Sequence, residues 1–391
     1  MALTRLGPNN STNISGITNA QLAGSIDNSK FANIVQSKNS LINGDMQVSQ
    51  RGTSFTSNGY TLDRYTMDES TDGAVTVTQD TDVPSGYGFA KSLKVDCTTA
   101  DASIGAAQYC GFTQLIEGQN LQYLKYGTSS AQTLTLSFWV KSVKTGIYCV
   151  RFVKEAGGET RYECPIQYTI SSASTWEKKT IILTPTAGST TFIQNSAGAI
   201  VNSNASGFRV FFALAVGSNF QGTNNAWTAS SDQLGTSSQV NFLDNTSNNF
   251  WITGVQLEAG TAASDFEFLP YSVNLQRCMR YYEKSYNDGT NPATVTSLGS
   301  VLAGGTVAAA STSYLVGTAF FINSKRGTPT ITLYDTQGAS GKVSCDTPGT
   351  ASSNNQTAAT GAIGYNLFMA FRTTGDSRTN INFHYTADAE L

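Results

Sequence analysis

The sequence predicts an all-β protein with four parts: an N-terminal extended attachment arm, an antiparallel jelly-roll sandwich, a short connecting helix and a C-terminal β-sandwich. The composition supports this class, because only 13% of the residues are charged while 39% are hydrophobic, with 17 Tyr and 20 Phe among the 391. Aromatic and β-branched residues favour pleated, half-buried surfaces. Short alternating runs between Gly, Asn and Ser turns recur from residue 41 onward and predict strands.

The first 38 residues have no helix or strand period. Their apolar residues stand singly among Asn, Ser, Gly and Thr, and they include Leu3, Leu6, Ile14, Ile17, Leu22 and Ile26. Such a segment cannot bury a core of its own. We predict an arm over residues 1–38 that becomes ordered on other subunits, with a disordered tail as the alternative.

Residues 39–270 are predicted to form the sandwich. The clearest strand is 134–140, where Leu134, Phe138 and Val140 fall on one face and Trp139 falls on the other. One face therefore meets a core, and the other meets solvent or a second subunit. Roughly ten such strands without intervening helices predict a jelly roll.

A connecting segment over residues 271–286 carries the one clear helical pattern. Leu275, Met279 and Tyr282 recur at helical spacing, which predicts a helix from Ser272 to Lys284. The turn signal Asn287-Asp-Gly ends it, and residues 287–391 are predicted to form the C-terminal β-sandwich. Residues 345–364, rich in Ser, Asn and Thr, are predicted to be a long exposed loop.

Charge and hydropathy narrow the classes of partner. The net charge is −3 and the isoelectric point is near 5.3, with scattered basic residues. This composition argues against nucleic acid as a partner. No apolar run reaches the roughly 20 residues of a membrane span, and no signal peptide is visible, so we expect no membrane insertion and no export.

Six ordered motifs resemble a family found in phage tail fibres and prophage tail proteins. They cover about 40 to 285 and are Leu41-Ile-Asn-Gly-Asp-Met-Gln-Val-Ser-Gln-Arg-Gly52, Tyr60-Thr-Leu-Asp-Arg-Tyr65, Leu136-Ser-Phe-Trp-Val-Lys141, Thr175-Trp-Glu-Lys-Lys-Thr180, Phe250-Trp-Ile-Thr-Gly-Val-Gln-Leu-Glu258 and Arg277-Cys-Met-Arg-Tyr-Tyr-Glu-Lys284. The residues before Asn33 are similar to segments that attach phage tail proteins to the virion. The residues after Thr330 are similar to the tip domain that often follows the last motif.

The resemblance implies a fold, a location and partners. It implies a carbohydrate-binding-module-like jelly roll in a fibre that is commonly a homotrimer. The fibre would assemble in the bacterial host cytoplasm and belong to the virion tail. Its N-terminus would dock on phage tail or baseplate/adaptor proteins, and its body would bind a host cell-surface glycan. A structural Ca²⁺ is frequent in jelly-roll modules of this kind, but the sequence locates no ligands for it, and we expect no other cofactor.

The cysteines leave one alternative open. Six are present, with no CxxC and no neighbouring His, which argues against zinc. Cys149 and Cys164 flank a predicted hairpin turn at 156–158, so a disulfide between them is one reading. Reduced thiols are the favoured reading for a protein that matures in a reducing cytoplasm.

The residues offer no catalytic set. His384 is the one His and sits in a predicted strand, and no Gly-x-Ser-x-Gly motif accompanies it. Asp63, Glu177 and Glu258 lie in the family's scaffold motifs, and we expect Asp63 and Glu258 to hold turns or strand ends. We therefore predict a non-enzymatic adhesion protein. The alternatives are a polysaccharide depolymerase tailspike and a purely structural tail or collar fibre.

Sugar binding needs exposed aromatic planes beside hydrogen-bonding side chains. The segment Asn219-Phe-Gln-Gly-Thr-Asn-Asn-Ala-Trp227 supplies both, so Phe220, Asn225 and Trp227 are candidate glycan-binding residues. Trp227 has an alternative role in covering the edge of the sandwich. In the C-terminal part, Tyr334 is a further candidate for glycan binding, and Lys325-Arg326 and the 345–364 loop are alternative candidates.

Overall fold

A computed structural model describes residues 38–56, 58–155, 160–229, 232–304, 306–309, 312–346, 353–374 and 378–391. Residues 39–391 form one compact unit. The predicted attachment arm lies almost wholly outside the described residues, as do all six of its candidate residues, which are Leu3, Leu6, Ile14, Ile17, Leu22 and Ile26. The arm therefore stays a prediction.

Twelve strands within the described residues build the sandwich. In chain order they are β1 (Ser54–Phe55), β2 (Gly59–Tyr60), β3 (Thr66–Ser70), β4 (Ala74–Asp80), β5 (Ser92–Thr99), β6 (Tyr109–Glu117), β7 (Leu134–Ser142), β8 (Gly146–Lys154), β9 (Tyr162–Ile170), β10 (Glu177–Leu183), β11 (Ser206–Val216) and β12 (Asn249–Ala259). Short 3₁₀ turns lie at Gly118–Leu124, Ala187–Ser189, Phe192–Gln194, Ser196–Gly198, Ser218–Phe220 and Phe242–Asp244.

These strands form two six-stranded antiparallel sheets. The front sheet has the order β1-β4-β5-β12-β7-β10, and the back sheet has the order β2-β3-β6-β11-β8-β9. Because neighbouring strands are distant in sequence, the pairing is largely non-local. The predicted all-β sandwich is confirmed.

Aromatic and aliphatic side chains from both sheets fill the space between them. Phe112 and Phe212 of the back sheet stack with ring centres 5.0 Å apart, and Phe138 of the front sheet meets Phe212 edge to face at 5.4 Å. Leu136 and Val140 are fully buried beside them. Burial of this kind contributes about 25 cal/mol per Å² of apolar surface. The alternation along β7 thus turns Trp139 to the outside, as predicted.

The connecting helix is shorter than the sequence pattern predicts. The helix α1 spans Tyr271–Met279, and a strand, β13 (Tyr282–Lys284), follows it. The expectation of a helix continuing to Lys284 is corrected. β13 pairs with the last strand of the chain, placing Tyr282 opposite Asp388, and Glu283 is fully buried there. Pairing and burial outweigh a local helical preference.

The described residues of 287–391, which we call the C-terminal module, contain nine further strands. They are β14 (Val301–Gly304), β15 (Thr306–Ala309), β16 (Thr312–Phe320), β17 (Thr330–Tyr334), β18 (Lys342–Asp346), β19 (Ser353–Thr357), β20 (Ala359–Gly361), β21 (Leu367–Thr374) and β22 (Asn380–Asp388). One sheet has the order β13-β22-β18-β19, with β14 and β17 also paired to β22, and the other has the order β15-β16-β21-β20. Buried residues of both sheets, including Leu315, Phe368 and Phe383, share one core.

The predicted exposed loop at 345–364 is partly strand. β18 reaches Asp346, and β19 and β20 occupy 353–357 and 359–361. Thr357 lies opposite Lys342 and Ser353 lies opposite Cys345. β19 and β20 are each the last strand at one edge of a sheet, where charged and polar residues are common. Residues 347–352 lie outside the described part.

The register of the β8–β9 hairpin separates the two cysteines that the sequence places opposite each other. Cys149 pairs with Gln167, and Cys164 pairs with Phe152. Cys149 belongs to a small cluster on the outer side of the back sheet, whereas Cys164 belongs to the main core. Side chains three residues apart on a strand point to opposite faces. All six cysteines are free thiols, as the favoured reading predicts.

Candidate functional site

Trp227, a candidate for sugar stacking, is a core residue. Its side chain is only 1% exposed, and its indole N–H donates to the carbonyl of Thr184 at 2.9 Å. The adjacent Thr228 exchanges backbone hydrogen bonds with Glu163 of β9, which folds the loop back onto the sandwich. Trp227 thus covers the sandwich edge, and its ring faces are not available for stacking.

The other three candidates lie in two different parts of the fold. Phe220 is half-buried and packs edge to face on Tyr109, with ring centres 5.2 Å apart. Asn225 is exposed in the same loop as Trp227, and its backbone N–H donates to Pro165. Tyr334 lies in the C-terminal module and packs against Tyr286 at 6.1 Å.

Three of the four tryptophans lie on the outer face of the front sheet. Trp139 and Trp251 stand on the neighbouring strands β7 and β12, and Trp176 directly precedes β10 at the sheet edge. Tyr87, which is 55% exposed, lies against Trp139 with ring centres 4.2 Å apart. We call this surface the tryptophan face, and its members are Asp80, Asp82, Tyr87, Lys94, Trp139, Lys141, Trp176 and Trp251.

Strand alternation places the rings on this face. Phe250 and Ile252 of β12 are fully buried, so Trp251 between them points outward. Trp251 lies opposite Lys141 on β7 and opposite Lys94 on β5. Two cationic side chains therefore flank one indole.

A glycine at an irregularity in β12 makes room for Trp139. The register between β12 and β7 shifts between Thr253 and Gln256, and Gly254 has a φ of +62°. A Cβ atom at Gly254 would lie 2.6 Å from the ring of Phe89 and 3.2 Å from Trp139. Glycine adopts this backbone conformation at little cost. Because it has no Cβ atom, it also leaves room for the rings of Phe89 and Trp139.

Carboxylates fix the orientation of two indoles. The indole N–H of Trp251 donates to Asp80 at 3.1 Å, and that of Trp176 donates to Asp82 at 3.0 Å. Asp82 also pairs with Lys141. The ammonium of Lys141 lies 4.1 Å from the ring centre of Trp251 and 5.6 Å from that of Trp176. Rings and charges thus form one connected array.

The array holds Asp80 in its ionised form. Partial burial alone would raise the pKa of Asp80, but hydrogen bonds from the backbone of Asp82, the indole of Trp251 and the backbone of Thr81, together with Lys94, lower it below its ordinary value. Asp80 is therefore a carboxylate near neutral pH. An ionised carboxylate is acceptor-only and suits hydroxyl donors.

The carboxylates of the scaffold motifs hold local structure. Asp63 accepts the backbone N–H of Gln50 at 2.8 Å, Glu177 accepts those of Ser171 and Ser172, and Glu258 binds both the N–H and the hydroxyl of Ser264. Each of these contacts fixes a turn or a strand end.

His384 is held in the core of the C-terminal module. It stacks on Tyr286 with ring centres 3.8 Å apart, and its two nitrogens contact the Ser285 hydroxyl and the Thr296 carbonyl. Burial lowers the pKa of His384, while the contact with Thr296 opposes this. Because a carbonyl only accepts, Nε2 carries the hydrogen and Nδ1 accepts from Ser285.

Among the described residues, no group of three or more His, Cys, Asp or Glu has an arrangement that would hold a metal ion. No helix among them has the length and apolarity needed to cross a bilayer.

The sequence matches no family model and no curated protein. Solved structures with local similarity include the enzymatically active domain of tailspike protein 4 of bacteriophage CBA120, at 16% identity and a TM-score of 0.32; the match covers 57% of this chain but only 22% of that one. They also include the family 11 carbohydrate-binding module of a cellulosomal cellulase from Clostridium thermocellum (13% identity, 54% and 96% covered, TM-score 0.27). A third is the xylan-binding domain from Paenibacillus barcinonensis, at 11% identity and a TM-score of 0.25. The match covers 54% of this chain and 94% of that one. TM-scores at this level do not establish a common fold, so the fold and the site rest on the contacts described above.

Proposed function

We propose that this chain is a non-enzymatic tail fibre subunit of a bacteriophage, and that its tryptophan face binds a host cell-surface glycan. The observation that carries the proposal is the grouping of Tyr87, Trp139, Trp176 and Trp251 on one outward sheet face, beside ionised Asp80. Large aromatic rings on a solvent-facing sheet are costly to leave uncovered, and large exposed patches commonly mark binding sites.

The chemistry of the tryptophan face suits a saccharide. Pyranose rings present C–H faces that pack on aromatic planes, and their hydroxyls need fixed acceptors and donors. Asp80 and Asp82 supply acceptors, while Lys94 and Lys141 supply donors. The two Asp and two Lys of this face balance, and Asp96 and Lys178 on the same side of the sheet add one charge of each sign, which favours a neutral sugar chain over a strongly anionic one. Hydrogen bonds already fix the indole orientations of Trp176 and Trp251, so binding orders few side chains.

The fibre part of the proposal rests on the six sequence motifs between residues 41 and 284. It assigns residues 1–38 to attachment on tail or baseplate/adaptor proteins, and a homotrimer to the assembled fibre. Several copies on one particle would raise a weak single-site affinity through avidity.

A glycan array tests the binding proposal. The full chain is applied to an array of bacterial lipopolysaccharide core, O-antigen and capsular fragments, and we expect selective binding to a neutral fragment. Saturation-transfer NMR on that fragment should then show contact through sugar C–H groups. Binding to no bacterial glycan would overturn the proposal. Release of reducing ends from a bound polysaccharide would instead support the depolymerase reading.

A deletion in the phage tests the attachment proposal. Removing residues 1–38 should give virions that lack this subunit, while the truncated chain still binds the glycan selected on the array. Virions that retain the truncated subunit would overturn the attachment role. Virions that lose the subunit yet adsorb normally would indicate a structural fibre.

A further inference from the structure

A cavity opens where the connecting segment meets the C-terminal module. Its volume is about 390 Å³, which is in the range of sites that take small molecules. Leu275 and Met279 of α1 line it, and so do Val301, Phe320 and Ile322 of the C-terminal module. We call it the connector cavity. No residue of the tryptophan face lines it, so it is a separate candidate site.

The walls of the connector cavity are largely apolar and partly uncovered. Phe320 and Ile322 are 70% and 69% exposed, and Leu275 and Met279 are half-buried. Apolar side chains that stay in contact with water around a concave site favour a ligand that takes them out of water. An alkyl chain is such a ligand.

A buried cation also lines the connector cavity. Lys284 is only 6% exposed, and its ammonium donates to the carbonyl of Thr290 at 2.7 Å. No carboxylate of the described residues forms an ion pair with it. The neighbouring buried Lys325, by contrast, bonds to Glu283 and to two backbone carbonyls. Because an ammonium has three N–H donors, Lys284 keeps two for a ligand.

The protein only partly offsets the cost of burying this charge. Burial lowers the pKa of Lys284, while Asp288 and Asp63 oppose this from beyond ion-pair distance. Asp288 also lines the cavity, but it is exposed, and its two oxygens already accept the Tyr271 hydroxyl at 2.8 Å and the Gly289 N–H at 3.0 Å. An anionic ligand beside Lys284 would supply the missing partner.

The other polar groups of the connector cavity are mostly engaged. The Ser285 hydroxyl contacts Nδ1 of His384 at 2.9 Å and accepts the backbone N–H of Tyr385 at 3.0 Å. The Tyr385 hydroxyl donates to Glu283 at 3.0 Å. Asn287 is exposed, and its side-chain amide bonds to none of the described residues. One ammonium and one amide suit a single carboxylate, whereas a saccharide needs partners for many hydroxyls.

We propose that the connector cavity binds a small aliphatic carboxylate. The carboxylate lies at the ammonium of Lys284, and the alkyl chain covers Phe320 and Ile322. A free acid carries the required charge and an esterified acyl chain does not, so the free acid is the ligand class. The assignment goes beyond glycan binding and does not depend on it, because a chain that binds no glycan has the same cavity.

Methyl NMR of the full chain shows where octanoate, the probe, binds. With carbon-13 in the methionine methyl groups, octanoate should shift the signal of Met279, which lines the connector cavity. The signal of Met369, which lines an apolar groove elsewhere in the C-terminal module, should stay in place. Met279→Leu and Met369→Leu assign the two signals. A titration below the micellar concentration that leaves the Met279 signal in place would overturn the inference.

Octanamide has nearly the shape of octanoate but no charge, so the two probes together isolate the role of Lys284. The wild type should prefer octanoate, and Lys284→Met should reduce this preference at least tenfold, the scale of a hydrogen bond to a charged group. Lys342→Met is the matched control, since Lys342 bonds to the Thr357 hydroxyl and does not line the cavity. An unchanged preference in a folded Lys284→Met protein would contradict the inference.

Chain length tests the apolar walls without any substitution at Lys284. From butanoate to octanoate, each added methylene should strengthen binding to the wild type roughly two- to fourfold. Phe320→Ala, at an exposed residue, should reduce this gain while circular dichroism shows the wild-type fold. An affinity that does not change with chain length would rule the inference out, whether or not the Lys284→Met protein folds.

Discussion

The ammonium of Lys141 lies 4.1 Å from the ring centre of Trp251, on the neighbouring strand of the front sheet. Lys141 also pairs with Asp82, which accepts the indole N–H of Trp176. One cation thus links two tryptophans and a carboxylate, and this linkage gives the tryptophan face a fixed geometry.

Replacing Lys141 with Met should loosen that geometry. The variant removes an ion pair whose Asp82 side chain is 43% exposed and a cation–π contact, so we expect a loss of about 1 kcal/mol in unfolding free energy. Glycan affinity should fall several-fold. Urea denaturation and calorimetric titration measure the two effects. Lys342→Met, in the C-terminal module, is the matched control; an equal loss of affinity in both variants would contradict the role of Lys141.

The lowered pKa of Asp80 predicts the pH dependence of binding. The pKa of the Asp80 carboxylate is lower in the folded protein than in the unfolded chain, where it is near 3.9. Its ionised form therefore contributes stability above about pH 3.9, and that contribution is lost as the pH falls through the lower folded pKa. Affinity should therefore be constant from pH 5 to 7 and decline only below about pH 4. Asp80→Asn keeps an acceptor but has no charge, so its affinity should be lower and flat with pH. Titrations with circular dichroism at each pH check this; a decline near pH 6 would contradict it.

Gly254→Ala should displace Trp139. The substitution forces an L residue into a positive φ and sets its Cβ against Phe89, so we expect about 2 kcal/mol or more of destabilisation. Tryptophan fluorescence should shift because the Trp139 environment changes. Gly86→Ala is the control, since Gly86 has a φ of +83° but no atom within 4 Å of a Cβ. Equal destabilisation of both variants would assign the whole effect to backbone strain.

A buried ion pair joins the connecting segment to the C-terminal module. Lys325 and Glu283 are both fully buried with 2.7 Å between Nζ and Oε2, and Glu283 also accepts the Tyr385 hydroxyl at 3.0 Å. Lys325→Met leaves an unpaired buried carboxylate, so we expect a loss of about 3–5 kcal/mol in unfolding free energy. Adding Glu283→Gln should recover much of it. Denaturant unfolding of the two variants tests this; a double variant no better than the single one would contradict it.

Strand patterning predicts much of the fold. Alternation along β7 places Leu136 and Phe138 in the core and Trp139 outside, and the structure agrees. Local sequence patterns give the wrong structure where pairing with a distant strand determines the fold. Tyr282–Lys284 continues a helical pattern but pairs with β22, about a hundred residues later, and Cys149 pairs with Gln167 because the hairpin register depends on its turn.

The candidate site is harder to predict than the fold. The sequence points to Trp227 because it lies among loop residues, but burial of the ring outweighs the polarity of its neighbours. Trp139, Trp176 and Trp251 become neighbours only through the order β12-β7-β10, which joins strands far apart in the chain. Each of the three lies in a motif used for the resemblance. The sequence feature that could have identified this site is a Trp that faces outward on a strand between buried residues.

The affinity of the Trp251→Ala variant for the glycan selected on the array tests the central claim most directly. Trp251 is half-buried at the middle of the tryptophan face, and loss of an aromatic stacking surface is worth about 1.5–3 kcal/mol, so we expect a loss of tenfold or more. Tyr365→Ala, at an exposed aromatic residue in the C-terminal module, should bind as the wild type does. Unchanged affinity of a folded Trp251→Ala protein would contradict the claim that the tryptophan face binds the glycan.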